Sequence, residues 1–262
     1  MDLGIKGKTA IVCASSKGLG RGCAEALAEA GVNLVMNART KSTLDETAAK
    51  IRDQYGVTVE TIATDITADS GRAEVKAAAD AMGGADILVN NAGGPPPGMW
   101  SDWGREEWQA AIDANMLTPI LLTTEILPGM LEKGWGRVVS ITSASVRTPI
   151  GVLGLSNGAR AGFTGFFAGT SRQVAGKGVI MNNILPGIHQ TDRITQLDTA
   201  AMNASGITMD EARAQRMATI PAGRYGTPEE FGATCAFLCS QHAGFIVGQN
   251  ILLDGGAFNS SF

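Results

Sequence analysis

Tyrosine is nearly missing from this chain: 262 residues contain only Tyr55 and Tyr225, together with two histidines and four cysteines. Those shortages narrow the chemistry available. Cys13, Cys23, Cys235 and Cys239 include no Cys-x-x-Cys pair, and with so few histidines neither a zinc-type cluster nor any other metal site is expected. The cysteines read as buried free thiols of a reducing compartment. Positive charge is not in excess either: 21 lysines and arginines face 25 aspartates and glutamates, for a net charge of −4. That balance leaves no footprint for nucleic acid or an anionic membrane, and keeps a small neutral or anionic metabolite open. Apolar runs stay well short of the roughly 20 residues that span a bilayer. The opening stretch "MDLGIKGKTAIV" lacks a basic flank followed by an apolar signal core, so a cytoplasmic protein is expected. With no Pro/Ser-rich linker or shift in composition to divide it, residues 1–262 read as a single domain.

What the sequence does contain is an alternation. Seven short apolar runs, "TAIVCA", "VNLVMN", "VTVETIA", "DILVNN", "RVVSIT", "VIMNNIL" and "NILLD", have the length of strands, and several are apolar nearly throughout, as strands covered on both faces are. Between them lie "GRGCAEALAEAG", "KSTLDETAAKIRDQY", "GRAEVKAAADAMG" and "PEEFGATCAFLCS", with apolar residues at helical spacing. Strand and helix repeated in this way predict an α/β fold of three layers, a parallel sheet with helices on both faces. Residues 191–226 are too long for a simple connection and read as a helical insert over a ligand cleft.

The first strand leads through "CASSKGLG" into a helix, a setting in which backbone N–H groups and the helix dipole favour a phosphate. Gly18 and Gly20 would let the chain approach a pyrophosphate closely. Together with "NNAG" at 90–93, Asp65-Ile66, Asn115 in "DANML", and "PGIHQT" at 186–191, this turn makes the chain resemble the short-chain dehydrogenase/reductase family over nearly its whole length. The resemblance implies a Rossmann fold with a seven-stranded parallel sheet. It further implies that Ala14, Ser16, Lys17, Gly18, Leu19 and Gly20 form the cofactor's phosphate turn, and that Asp65 and Ile66 contact its adenine. Asn91, Ala92 and Gly93 would line the strand end, and Pro186, Gly187, Ile188, His189 and Thr191 the carboxamide segment. Cys13 replaces the family's threonine and Ala14 its first glycine, and alanine there is expected to take a negative φ or a slight adjustment. A homotetramer or homodimer is implied as well, packed through the helices after "DANML" and "LSNGAR" and through "GQNILLDGGAFNSSF". The general likeness to 3-oxoacyl-carrier-protein reductases does not choose a substrate, beyond a small molecule with a carbonyl.

Charge argues for the cofactor. The second strand ends at Ala38 and Arg39 with no carboxylate to repel a 2′-phosphate, and Lys17 would reach the same region, so NADP(H) is expected.

The catalytic motif departs from the family. In "RVVSITSASVRTPIGVLGLSNGAR" the serine after the fifth strand is Ser143, and the family's spacing of thirteen and then four residues lands on Ser156 and Arg160 instead of tyrosine and lysine. Neither Tyr55 nor Tyr225 lies nearby. An aliphatic hydroxyl is a far weaker acid than a phenol, and a guanidinium stays charged without relaying protons. Three readings follow from Asn115, Ser143, Ser156 and Arg160. One is an oxidoreductase that protonates through held water or takes an easily reduced substrate. Another is a nucleotide-binding sensor or partner subunit without turnover, and the third is a different reaction on the same scaffold. His189 is the nearby residue that titrates near neutrality, a replacement acid or a ring at the carboxamide. Trp100, Trp103 and Trp108 make either an apolar wall of the cleft or packing for a helix and a subunit contact.

Overall fold

The computed structural model describes residues 1–260. The last two residues of the stretch expected at a subunit contact, Ser261 and Phe262, lie outside the described residues. Seven strands, β1 (Thr9–Val12), β2 (Asn33–Ala38), β3 (Val59–Ala63), β4 (Ile87–Asn90), β5 (Gly136–Ile141), β6 (Val179–Pro186) and β7 (Asn250–Leu253), pair in the order β3-β2-β1-β4-β5-β6-β7. Every pairing is parallel, with Ile11 opposite both Val35 and Leu88. The sheet's topological switch lies between β1 and β4, where a crevice opens at the strand C-termini. The seven apolar runs are these seven strands.

Why the runs are apolar throughout follows from the layers. Ala10 and Val12 of β1 point into a core shared with Leu34 and Met36 of β2 and with Leu27 of α1 (Gly18–Glu29) and Phe231 of α9 (Pro228–Cys239). Ile11, between them, joins the opposite core with Val35, Leu88 and the Phe163 and Phe167 rings of α6 (Gly154–Val174). Helix α1 lies against α9 so closely that a Cβ at Gly232 would overlap the Gly22 carbonyl. Helix α9 starts where Thr227 accepts from the Glu230 N–H, with Pro228 at its first position. The four cysteines are buried and unpaired, and burial pushes the Cys13 thiol up to about 12.

Helices α2 (Lys41–Tyr55) and α3 (Asp69–Ala81) complete the first half of the sheet. In the second half α4 (Arg105–Ile112) runs through a π turn, Asp113–Leu117, into α5 (Thr118–Lys133). Within the continuous stretch Arg105–Lys133 an 18-residue window reaches a mean hydropathy of 1.2, enough to cross a membrane by length and composition alone, a test that core helices also pass. Its buried side, Leu122, Ile126 and Met130, packs into the second core. The segment 191–226 carries two helices, α7 (Asp192–Ser205) and α8 (Met209–Met217).

Candidate functional site

The turn after β1 leaves the strand abruptly. Ala14 adopts φ +47°, a left-handed conformation, contrary to the expectation of a negative φ. The reason lies in its neighbours: Ser15 N–H donates to the Asn37 carbonyl at 3.0 Å, and the Ala14 carbonyl accepts from Asn91 Nδ2 at 3.4 Å. These bonds fix the turn from two other strands. A Cβ at Gly20 would overlap that same carbonyl, so glycine lets α1 start against the turn. Lys17 caps α1 without a side-chain hydrogen bond, and no acidic residue lies in the helix's first turn. The helix therefore presents uncapped N–H groups to the cleft.

Across the cleft, Asn90 Nδ2 donates to Thr123 Oγ1 at 3.0 Å and Ser140 Oγ at 3.1 Å, which ties the end of β4 to β5 and α5. The π turn holds Asn115, 3% exposed, with its Oδ1 unpartnered among the described residues. The inserted residue is stabilised by Thr118 Oγ1 donating to the Asp113 carbonyl at 2.7 Å. Asn115, Ile66, Asn91 and Arg160 border an inner cavity of about 20 Å³, room for a single water.

Ser143 lies just beyond β5, where its Oγ accepts from Ser145 N–H at 3.1 Å and keeps its own proton free to donate. Ser156 and Arg160 stand one turn apart on α6. Arg160 is 7% exposed and donates from Nη1 to the Ile141 carbonyl at 3.0 Å and from Nη2 to the Ala92 carbonyl at 3.3 Å. Burial, and then the charge of Arg193, lower its pKa to about 10, so it is charged at neutral pH. His189 is placed differently from a replacement acid. Its ring is 5% exposed, packs edge-on to Phe231 at 5.3 Å and lies against Gly226, with Nδ1 directed at the Gly187 carbonyl 3.5 Å away. Burial pushes its pKa down, which keeps the imidazole neutral.

A cleft of about 840 Å³ joins these elements. It is bordered by Ala14, Lys17, Gly18 and Leu19, by Asn91, Ala92 and Gly93, by Ser143, Ser156 and Arg160, and by Pro186 to His189 with Thr191. Asn115 and Ile66 reach only the inner cavity. Ser16, Gly20, Arg39 and Asp65 border neither. The Ser16 carbonyl accepts from Thr47 Oγ1 at 3.0 Å, and Gly20 is buried in α1. The Asp65 carboxyl is held low by hydrogen bonds from Thr67 and, more weakly, by the charge of Arg39, so the cation at the end of β2 has an acid in electrostatic range. Lys17 does not turn toward Arg39: its Nζ lies 3.4 Å from Asp192 Oδ2, a contact that links the phosphate turn to α7.

Sequence reasoning missed Asp192 and Arg193, which directly follow the noticed "PGIHQT", and Arg216, Asp254 and Phe258, which reach the cleft from later elements. No local motif marks them. Trp103 and Trp108 meet edge to face at 6.4 Å and press on Gly154 and Gly158 of α6, while Trp100 is 83% exposed. None of the three borders the cleft, so two of them are helix packing.

Comparison with known proteins places this arrangement among nicotinamide enzymes. A family model described as enoyl-(acyl carrier protein) reductase matches residues 13–257. The 3-oxoacyl-(acyl-carrier-protein) reductase FabG of Vibrio cholerae is 35% identical over 259 residues, which cover 98% of this chain and 99% of that one. D-beta-hydroxybutyrate dehydrogenase of Cupriavidus necator is 33% identical over 258 residues, 96% of this chain and 98% of that one. Among solved structures, L-sorbose reductase of Gluconobacter frateurii, complexed with NADPH and L-sorbose, superposes with a TM-score of 0.95 at 29% identity over 99% of this chain and 100% of that one.

Proposed function

The chain belongs to the short-chain dehydrogenase/reductase family, and from that premise we propose that it is an NADP(H)-dependent oxidoreductase acting on a small carbonyl substrate, with an altered acid/base site. One observation carries the reading. The uncapped start of α1, the strand end at Asn91–Gly93, the Ser143–Ser156–Arg160 group and the 186–191 segment border a single cleft of dinucleotide size. The cofactor's fit is supported by that cradle and by Arg160, whose buried charge keeps N–H groups unspent beyond its two carbonyls. Relatives of known structure were crystallised with NADPH.

In this reading Arg160 holds the nicotinamide ribose and Ser143 donates its free hydroxyl proton in a hydrogen bond to the substrate oxygen. When bound, NADPH would supply the hydride that the carbonyl carbon accepts. We infer that Ser156 and Arg160 occupy the family's tyrosine and lysine places, so no phenol protonates the oxygen. Water held in the cleft by Ser143 and Ser156, and reprotonated from solvent, gives that proton, and the fixed charge of Arg160 steadies the developing alkoxide. Arg160 borders both that cleft and the water-sized cavity beside the unpartnered Asn115 Oδ1, which supports a second water within reach of the site. The chain is proposed to work as a homotetramer or homodimer in the cytoplasm.

Two measurements test the reading. Fluorescence titration is expected to show NADPH binding more tightly than NADH by roughly 1–3 kcal/mol, the worth of charge-assisted phosphate contacts. Arg39→Asp reverses the order, and tighter NADH binding by the unmodified protein would sink the cofactor assignment. Oxidation of NADPH followed at 340 nm with a panel of activated ketones, quinones and iminium compounds then separates turnover from nucleotide binding alone. Binding with no turnover on any of them favours the sensor.

A further inference from the structure

Six charged groups border the cleft besides the neutral His189, and four of them are already matched. Lys17 faces Asp192, Arg216 Nε donates to Asp198 Oδ1 at 2.6 Å, and the Asp254 carboxylate accepts the Gly256 and Phe258 N–H groups at 3.0 and 2.8 Å. Arg160 and Arg193 remain, and neither has a carboxylate partner among the described residues. Arg193 has a single long hydrogen bond, Nη2 to the Pro95 carbonyl at 3.4 Å, and its guanidinium lies where a Cβ at Gly94 would be. Both guanidinium groups thus rest on the short segment that follows β4, Arg160 at Ala92 and Arg193 at Gly94–Pro95.

Two cations sharing one wall repel each other, and the charge of Arg193 adds to burial in depressing the pKa of Arg160. Nor does Arg193 serve its own helix, since a cation in the first turn of α7 opposes the helix dipole. A negative group seated between them would offset both costs. We propose that Arg193, acting with Arg160, forms a seat for an anionic group, a carboxylate or a phosphate, of a ligand bound in the cleft. Two sources share that chemistry: the substrate's own acid group, which makes the substrate an oxo acid, and the diphosphate of the cofactor. The proposal deepens the oxidoreductase reading and rests on it for the reacting carbon, though not for the anion itself.

Calorimetric titration of the full chain and of Arg193→Gln distinguishes the sources without requiring turnover. The probes are NADPH, sodium pyrophosphate, and the matched pair acetoacetate and methyl acetoacetate, the last two with and without NADP⁺. A substrate seat predicts that acetoacetate binds the unmodified protein at least 10-fold more tightly than its ester, the order of one charge-assisted hydrogen bond. Arg193→Gln then removes the preference and leaves the NADPH dissociation constant within twofold. A cofactor seat predicts that the variant weakens NADPH and pyrophosphate about 10-fold or more. In either case Arg193→Lys restores much of the loss, because charge and not packing is at stake. If Arg193→Gln moves none of these constants beyond about twofold while its melting temperature is unchanged, the seat is refuted. Should NADPH fail to bind at all while pyrophosphate or acetoacetate binding still falls in the variant, the oxidoreductase reading fails and the seat stands.

Discussion

Ala14 is held at φ +47° by bonds to Asn37 of β2 and Asn91 just beyond β4, and an L-residue there costs on the order of 1 kcal/mol more than glycine. Ala14→Gly is accordingly expected to stabilise the protein by about 1 kcal/mol, read as a rise of roughly 2–4 °C in thermal midpoint for a domain of this size. An unchanged or lower midpoint would mean that the alanine methyl packs usefully. Arg160 supplies a second residue-level test. Its depressed pKa of about 10 still leaves the guanidinium charged below that pH, and charge is lost as pH rises through it. With no phenol in the site, kcat/KM for reduction should be level from about pH 6 to 9 and fall near pH 10. A limb near neutrality would point to another acid. That Ser156 and Arg160 stand one turn apart on the cleft wall was legible in the sequence, because a motif surrounds them. The direction of the His189 ring was not, since Gly226 and Phe231, from a different element, set it.

At the scale of elements, the alternation of apolar runs revealed all seven strands: the inner ones because burial on both faces writes itself as continuous hydrophobicity, and the partly exposed edges β3 and β7 by their length and place in the alternation. The π turn at Asp113–Leu117 left no such mark: one extra residue in a helix changes no composition, only the hydrogen-bond ladder. That 191–226 carries helices was legible by length alone. What fixes its two helices is Asp198, 1% exposed, which accepts from Arg216 at 2.6 Å and from the Tyr225 hydroxyl at 3.1 and 3.2 Å. Asp198→Asn leaves Arg216 without its counter-charge and is expected to cost about 2 kcal/mol. The local loosening should appear as faster tryptic cleavage within 191–226, with little change in NADPH affinity. Cleavage as slow as in the unmodified protein would show that the joint is not what orders the insert.

For the whole molecule, apolar side chains left in water bear on assembly. Trp108, Leu117 and Leu121 on the α4–α5 stretch are 36%, 37% and 39% exposed, and Phe245 is fully exposed. Light scattering at micromolar concentration should give a dimer or tetramer, and Leu121→Asp should shift it toward smaller species. A monomeric mass for the unmodified protein contradicts the proposed assembly. Those surfaces were named from the sequence only through the family's habit, because exposure is not written in periodicity. The central claim is that a complete dinucleotide cleft here works without the family's usual acid. The double change Ser156→Tyr with Arg160→Lys tests it most directly, by steady-state NADPH oxidation with simple activated ketones. A gain of roughly 10²–10⁴-fold in kcat is predicted, the worth of a positioned general acid. If the double variant binds NADPH normally yet gains nothing, the claim is contradicted and the cleft serves another purpose.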